Sequence, residues 1–362
     1  MWDIHSQTKM KLAILEKYLA AWATILKERS DVLYYIDGFA GPGWYNDPET
    51  KTKVAGSPIR AVQIYVMHKK DKGWKYELRF INVEKDSTTF QELQKETSKF
   101  EKDAKITNIE GEFLDNLDKI LCEIEGYNSF FFMDPFGISG IEFDQLTNVL
   151  KRPKTEIFIK FSYNEFQRCL GQLKNCDDPD KTTRNKARKT IERVSRMMGI
   201  ETEHLSFLQE LFDNLEKEEG YLATYLNNLR KCKRFVYPFK INFPGSQRTF
   251  YYLILLTDNI TGLKIMKDIM YAEEHRELRQ LVLFPEKRPI DFLADEFTSH
   301  YSGRSVPYNR ILEDWLPISQ YINGADYLEK DVRDALKLLE LRHHVRPVKK
   351  SGYKYPLYVF KG

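Results

Sequence analysis

Apolar positions change their period several times along the chain, and each change marks an element. From Lys9 to Leu26, the residues Leu12, Leu15, Leu19, Trp22 and Ile25 recur at helical spacing, which predicts an amphipathic helix lying across a sheet. Short apolar runs follow at Val32–Ile36, Leu78–Val83, Ala104–Glu110, Ser129–Met133 and Thr155–Phe161, each of strand length. Ser129–Met133 is the most continuously apolar, as expected of a strand buried on both faces at the sheet centre. After Gly56-Ser57-Pro58 the pattern is helical again, with Ile59, Val62, Tyr65 and Val66 on one face, Ser57 as cap and Pro58 at the first helical position. Lys231 to Thr257 holds two aromatic-rich strands around Pro244-Gly245-Ser246, a hairpin signal.

Alternating strands and helices closed by an antiparallel hairpin predict an α/β fold with a Rossmann-like sheet. The polar stretch Trp44–Ala55 reads as a loop. Residues 164–228 read as a helical, partly basic insertion. From 288 onward the pattern changes: helices are expected at Asp291–Tyr301, Ile311–Ile318 and Asp331–Leu341. Two strands, Arg346–Lys350 and Tyr353–Phe360, flank Ser351-Gly352. Helices closed by a basic hairpin describe a winged-helix-like domain. The expected division is therefore 1–163 with 229–287 as the sheet domain, 164–228 as the insertion and 288–362 as the winged-helix-like domain.

Composition narrows the function classes. The chain has 362 residues, 42% hydrophobic and 30% charged, with a net charge of +3, so any nucleic-acid surface has to be a local patch. Cys122, Cys169, Cys176 and Cys232 form no C-x-x-C pair, so no metal site is expected, and free thiols in a reducing cytosol are. The N-terminus lacks an apolar signal core, and the longest apolar run, Phe250–Leu256, is too short to span a bilayer, which makes a cytoplasmic location the expectation.

The candidate chemistry sits at the strand ends. The first strand leads into Asp37, Gly38, Phe39, Ala40, Gly41, Pro42 and Gly43, an acidic glycine turn where an open α/β sheet presents a nucleotide-like ligand. The spacing is not G-x-G-x-x-G, which disfavours a nicotinamide dinucleotide, and a short acidic turn suits a sulfonium or amino-acid end such as that of S-adenosylmethionine (SAM). Glu84, followed by Lys85, ends the second strand where a ribose is caught, and Asp86 is expected to cap the next helix. Glu112 and Phe113, beyond the third strand, are expected at the adenine. The most specific signal is Asp134, Pro135, Phe136 and Gly137 after strand four. Asp134 and the Pro135 carbonyl can accept hydrogen bonds from an exocyclic amine while Phe136 stacks on its ring. In the insertion, Arg168, Arg184, Lys186, Arg188 and Lys189 are candidate phosphate contacts, as are Lys349 and Lys350 in the terminal hairpin; the alternative is a solvated face. His5 reads as a surface residue.

Taken together, Asp37-Gly-Phe-Ala-Gly-Pro-Gly43, Gly56-Ser57-Pro58, Glu84-Lys-Asp86, Asp134-Pro-Phe-Gly137 and Gly262-Leu263 through Met266-Lys267 resemble the three-Cys-motif partner protein family, TcmP. The opening Lys9–Trp22, with Tyr18-Leu19 before Ala21-Trp22, is similar to that family's start, so the resemblance spans nearly the whole chain. It implies a class I SAM-dependent methyltransferase fold and, as partner, a radical-SAM-like protein with three cysteines. Asp134-Pro-Phe-Gly137 separately resembles the strand-four motif of tRNA guanine-N2 methyltransferases and, more loosely, the Asp-Pro-Pro-Tyr of adenine amino-methyltransferases, from which it departs at Phe136 and Gly137. The expected function is methylation of an exocyclic amine on an RNA or DNA base. The rival is a non-catalytic partner with the same fold.

Overall fold

In the computed structural model the described residues are 2–72, 76–138, 140–200, 218–278, 289–318, 326–349 and 355–362. They fall into two compact units, Met1–Asp258 and Asn259–Gly362. The first unit opens with β1 (Trp2–Asp3), α1 (Ser6–Leu26), β2 (Val32–Asp37), β3 (Trp44–Asp47), β4 (Thr52–Ala55) and α2 (Ser57–Lys72). It continues through β5 (Glu77–Glu84), α3 (Ser87–Thr97), β6 (Lys105–Glu110), α4 (Leu117–Glu123), β7 (Asn128–Met133), α5 (Phe143–Leu150) and β8 (Thr155–Phe161). It closes with α6 (Tyr163–Leu170), α7 (Lys181–Met198), α8 (Glu218–Arg230), β9 (Phe235–Asn242) and β10 (Thr249–Thr257).

Seven strands form one sheet in the order β6-β5-β2-β7-β8-β10-β9. The first five are parallel, and β10 enters antiparallel between β8 and β9. The central strands are those with unbroken apolar runs: Leu33, Tyr35 and Ile36 of β2 and Phe130 and Phe131 of β7 have no exposed surface. Strand order reverses at β2, whose neighbours are β5 and β7, so a crevice opens at the carboxyl ends of these strands.

One face of the sheet carries α1. Its Tyr18 and Trp22 rings lie 5.6 and 5.7 Å from the Phe130 ring, and the Tyr18 hydroxyl donates to Glu156 at 2.6 Å. The other face carries a large core built from Ile81, Phe131, Met133, Ile157 and Ile159 with side chains of α4, α5, α7 and α8. Ala187, Ile191, Val194 and Met198 of α7 belong to this core, so the described part of the expected insertion packs on the sheet; residues 201–217 lie outside the described residues.

The stretch expected to be a loop, Trp44–Ala55, is instead the hairpin β3–β4, and β1 joins it in parallel with Trp2 opposite Tyr45. Its polar residues hid it, because only one face meets the protein.

The second unit comprises α9 (Ile260–Leu278), α10 (Ile290–Tyr301), β11 (Ser305–Pro307), α11 (Tyr308–Trp315), α12 (Glu329–Leu341), β12 (Val345–Val348) and β13 (Leu357–Phe360). Its sheet, in the order β11-β13-β12, is antiparallel. Leu293, Phe297, Leu312, Val332 and Leu336 are fully buried or nearly so within it. The unit begins at Asn259, not at 288, because α9 is tied into it: Lys264 pairs with Glu329 at 2.6 Å, and buried Lys267 bonds Asp326 and the Leu316 carbonyl. The expected turn at Ser351-Gly352 lies outside the described residues.

All four cysteines are free thiols. Among the described residues no helix is long and apolar enough to cross a membrane, and no His, Cys, Asp or Glu cluster is arranged to hold a metal.

Candidate active site

The acidic glycine turn leaves β2 at the crevice. Backbone bonds fix it to both neighbouring strands: the Gly38 amide donates to the Phe132 carbonyl at 3.0 Å and the Ala40 amide to Val83 at 2.9 Å. Gly41 and Gly43 take φ values of +65° and +83°, where a side chain is strained. A methyl-sized group on Gly41 would touch the Tyr45 hydroxyl at 3.4 Å and the Trp2 ring at 3.6 Å, both ordinary contact distances. Pro42 is buried and Phe39 half-buried.

Asp37 lies beneath the turn. It is fully buried, accepting from the Tyr35 hydroxyl at 3.1 Å and the Phe39 amide at 3.3 Å, with Ser57 as a further donor. Burial pushes its pKa up to about 7, against the pull of these hydrogen bonds. Its role is to organise the turn from inside. Ser57, expected only as a helix cap, is thereby drawn into the site.

Glu84 is brought to the glycine turn. One carboxylate oxygen accepts the Gly41 amide and the other the Asp86 amide, both at 2.9 Å. A carboxylate offers about four lone-pair sites, so each oxygen keeps room for a second donor. Asp86 caps α3 as expected, accepting the Thr89 amide at 2.8 Å. Lys85 and Glu112 are exposed and pair with each other at 3.5 Å beside the carboxyl ends of β5 and β6. Phe113 departs from expectation. It is buried under the turn, packed against the position a Gly38 side chain would take, and belongs to the core.

At the end of β7, Asp134 lies between two ammonium groups. Lys11 of α1 pairs with one oxygen, and Lys160 of β8 reaches the other at 2.5 Å. Burial alone would raise the Asp134 pKa, but Lys11 and Lys160 hold it well below the usual carboxylate range, so the group is ionised throughout the working pH range. Sequence reasoning missed both lysines. The signal for Lys11 was the stripe Gln7, Lys11, Ile14 and Tyr18, a helical face buried throughout, whose polar end meets the site and whose apolar end meets the sheet. Lys160 shares its strand face with Glu156, which gave a period-two hint.

Beside Asp134 opens a pocket of about 230 Å³, bordered by His5, Thr8, Lys11, Phe136, Gly137, Lys160, Ser162 and Asn164. His5 is therefore a pocket residue as well as the residue preceding α1. Pro135 is buried, whereas the Phe136 ring is 64% exposed and so is not part of the core. Its ring meets Trp2 edge-on at 5.5 Å. Gly137 has φ +71° and lines the pocket.

The candidate phosphate contacts divide. Arg184 donates to the Asp178 carbonyl at 2.7 Å and Arg188 to the Cys176 carbonyl at 2.9 Å, so both brace the segment before α7. Lys186 and Lys189 are exposed on α7, and Arg168 is exposed but paired with Glu165. Lys349 is exposed in the second unit, and Lys350 lies outside the described residues.

No family model matches the chain, and no curated protein matches it. Solved structures similar to it include a Legionella pneumophila protein, at 10% identity and a TM-score of 0.43 over 73% of this chain and 91% of that one. A Bacillus cereus O-methyltransferase in complex with SAH is 15% identical, with a TM-score of 0.32 over 70% and 82%. A human methyltransferase 10 domain containing protein is 10% identical, with a TM-score of 0.28 over 68% and 83%. The fold class rests on the sheet itself. Five parallel strands reversing at β2, a last strand inserted antiparallel beside the fifth, and the glycine turn after the first parallel strand make this a Rossmann-like sheet of the class I methyltransferase type.

Proposed function

We propose that the chain is a SAM-dependent methyltransferase whose acceptor is an exocyclic amine of a nucleic-acid base. The observation that carries this reading is the strand-four end. A carboxylate held ionised by Lys11 and Lys160 can only accept hydrogen bonds, and it stands beside a pocket with an exposed aromatic ring. An ionised Asp134 and the Pro135 carbonyl orient an N–H donor, and Phe136 fixes the plane of its ring. The cofactor residues present fit SAM: the glycine at position 41 leaves a methyl-sized space, and Glu84 keeps acceptor capacity beside the turn. Bound there, SAM supplies a methyl group already activated on a sulfonium, so the protein's task is alignment and exclusion of water. Exposed Lys186 and Lys189 on α7 are proposed phosphate contacts, as is Lys349 in the second unit, whose helices and antiparallel hairpin support the winged-helix reading. The TcmP resemblance supports a three-Cys radical-SAM-like protein as a partner.

The test is transfer of tritiated methyl from SAM to tRNA, rRNA and DNA, with SAM affinity and melting temperature measured on the same samples. Asp134→Asn is expected to cut transfer a few hundred-fold, about 3–4 kcal/mol at the transition state, and to leave SAM affinity within a few-fold. Phe136→Ala is expected to weaken acceptor binding by about 1–3 kcal/mol without lowering the melting temperature, because the ring is exposed. Full transfer by folded Asp134→Asn would sink the amine mechanism. No transfer by the wild-type chain to any polymer, with SAM still bound, would favour the non-catalytic partner.

A further inference from the structure

The space above Gly41 is edged by two rings. Tyr45 lies on β3, and β1 holds Trp2 opposite it, with ring centroids 6.4 Å apart. Trp2 also meets Phe136 at 5.5 Å, so a single indole bridges the glycine turn and the strand-four end. Trp2 is 40% exposed, an uncommon degree for so large an apolar side chain, and nothing in the β1–β3 ladder requires a ring there. The carboxyl groups of Asp134, Asp37 and Glu84 all stand close enough to act electrostatically on the Tyr45 hydroxyl. Lys11 and Lys160 counter the charge at Asp134 and Lys11 also acts on Asp37, whereas Glu84 is held by the Gly41 and Asp86 amides and pairs with no lysine or arginine among the described residues. Aromatic rings beside the Glu84 carboxylate form a place for a cation that carries methyl groups and not hydrogen-bond donors.

We propose that Trp2, together with Tyr45, borders the sulfonium of SAM beside the Gly41 turn, making the N-terminal strand part of the cofactor site. This rests on the SAM reading above and adds residues that the glycine turn alone does not supply. The atoms nearest Gly41 are the Tyr45 hydroxyl and the Trp2 ring, and Trp2 in turn meets Phe136.

A sulfonium contact has a signature that ordinary packing lacks. SAM carries the charge, whereas S-adenosylhomocysteine (SAH) presents a neutral thioether at the same place. Calorimetric titration of the full chain with SAM and with SAH, on wild type, Trp2→Phe and Trp2→Leu, reads the difference directly. Leucine keeps apolar bulk and removes the ring. Trp2→Leu is expected to weaken SAM roughly tenfold and to move SAH less than twofold, with Trp2→Phe between wild type and Trp2→Leu. Melting temperatures should stay close to wild type, since Trp2 is part-exposed on a two-residue strand. Equal weakening of SAM and SAH, or unchanged SAM affinity, overturns the sulfonium contact and leaves the cofactor reading standing. Failure of wild type to bind either ligand overturns both.

Discussion

Single residues at this site are set by what lies behind them. Glu156 is half-buried under α1 with the Tyr18 hydroxyl on it, and desolvation pushes its pKa up to about 7 against the hydrogen bonds of Tyr18 and Thr257. A folded-state pKa above the unfolded one means that the native protein binds more protons than the unfolded chain between about pH 4.5 and 7. The stability tied to protonation is therefore complete at the acid end of that window and is lost as pH rises through it. Glu156→Gln keeps an acceptor for Tyr18 and removes the titration. The melting temperature of the variant should match wild type near pH 4.5 and exceed it progressively up to pH 7, by at most roughly 3 kcal/mol of stability. A difference that does not change with pH would show that Glu156 is not the titrating group. The place of Asp134 and Phe136 at the end of β7 could be read from the sequence, because the unbroken apolar run that ends at Met133 marks the strand they follow. Asp37 could not, since nothing in its neighbours along the chain says that Tyr35 and Ser57 will turn the carboxylate inward. Lys11 was hidden for a related reason: a lysine on a helix reads as solvated until the sheet beneath it is known to end in a carboxylate.

Among elements, the β3–β4 hairpin is the one that the hydrophobic pattern concealed and the one that lies against the glycine turn. It is anchored at Gly56, whose amide donates to the Gly43 carbonyl at 2.7 Å. A Cβ on Gly56 would stand 2.9 Å from the Tyr45 ring and 3.0 Å from that carbonyl. Gly56→Ala must therefore move either the hairpin or the glycine turn. The expected cost is about 1–3 kcal/mol in stability, with weaker SAM binding in the protein that remains folded. An unchanged melting temperature would mean that the hairpin gives way freely and does not hold the turn. This closeness is the physical reason for glycine in Gly56-Ser57-Pro58, which the sequence shows only as a helix start. The parallel strands were legible because burial on both faces leaves unbroken apolar runs. The hairpin, wet on one side and only four residues per strand, leaves no such mark.

At the scale of the whole molecule, the boundary after Asp258 changes how the chain should be divided. Leu263, Met266 and Met270 of α9 are fully buried, and Lys267 finds its partners at Leu316 and Asp326. A chain ending at 287 would keep this helix and strip its apolar face and buried ammonium of their cover. It is expected to aggregate, whereas a chain ending at Asp258 should be monodisperse by light scattering. The reverse result would place α9 with the first unit. The order of synthesis matters as well. Strand β8 is complete once Phe161 has been made, but its partner β10 spans Thr249–Thr257, and Tyr251 also bonds the Gln7 carbonyl near the start of α1 at 2.8 Å. A nascent chain emerging from the ribosome thus carries an open apolar strand edge through the synthesis of α6, α7, α8 and β9, an interval in which that edge can pair with another chain. The step that closes the sheet also fastens the first helix, so ribosome-bound chains stalled before Thr249 should recruit chaperones, and those released after Thr257 should not.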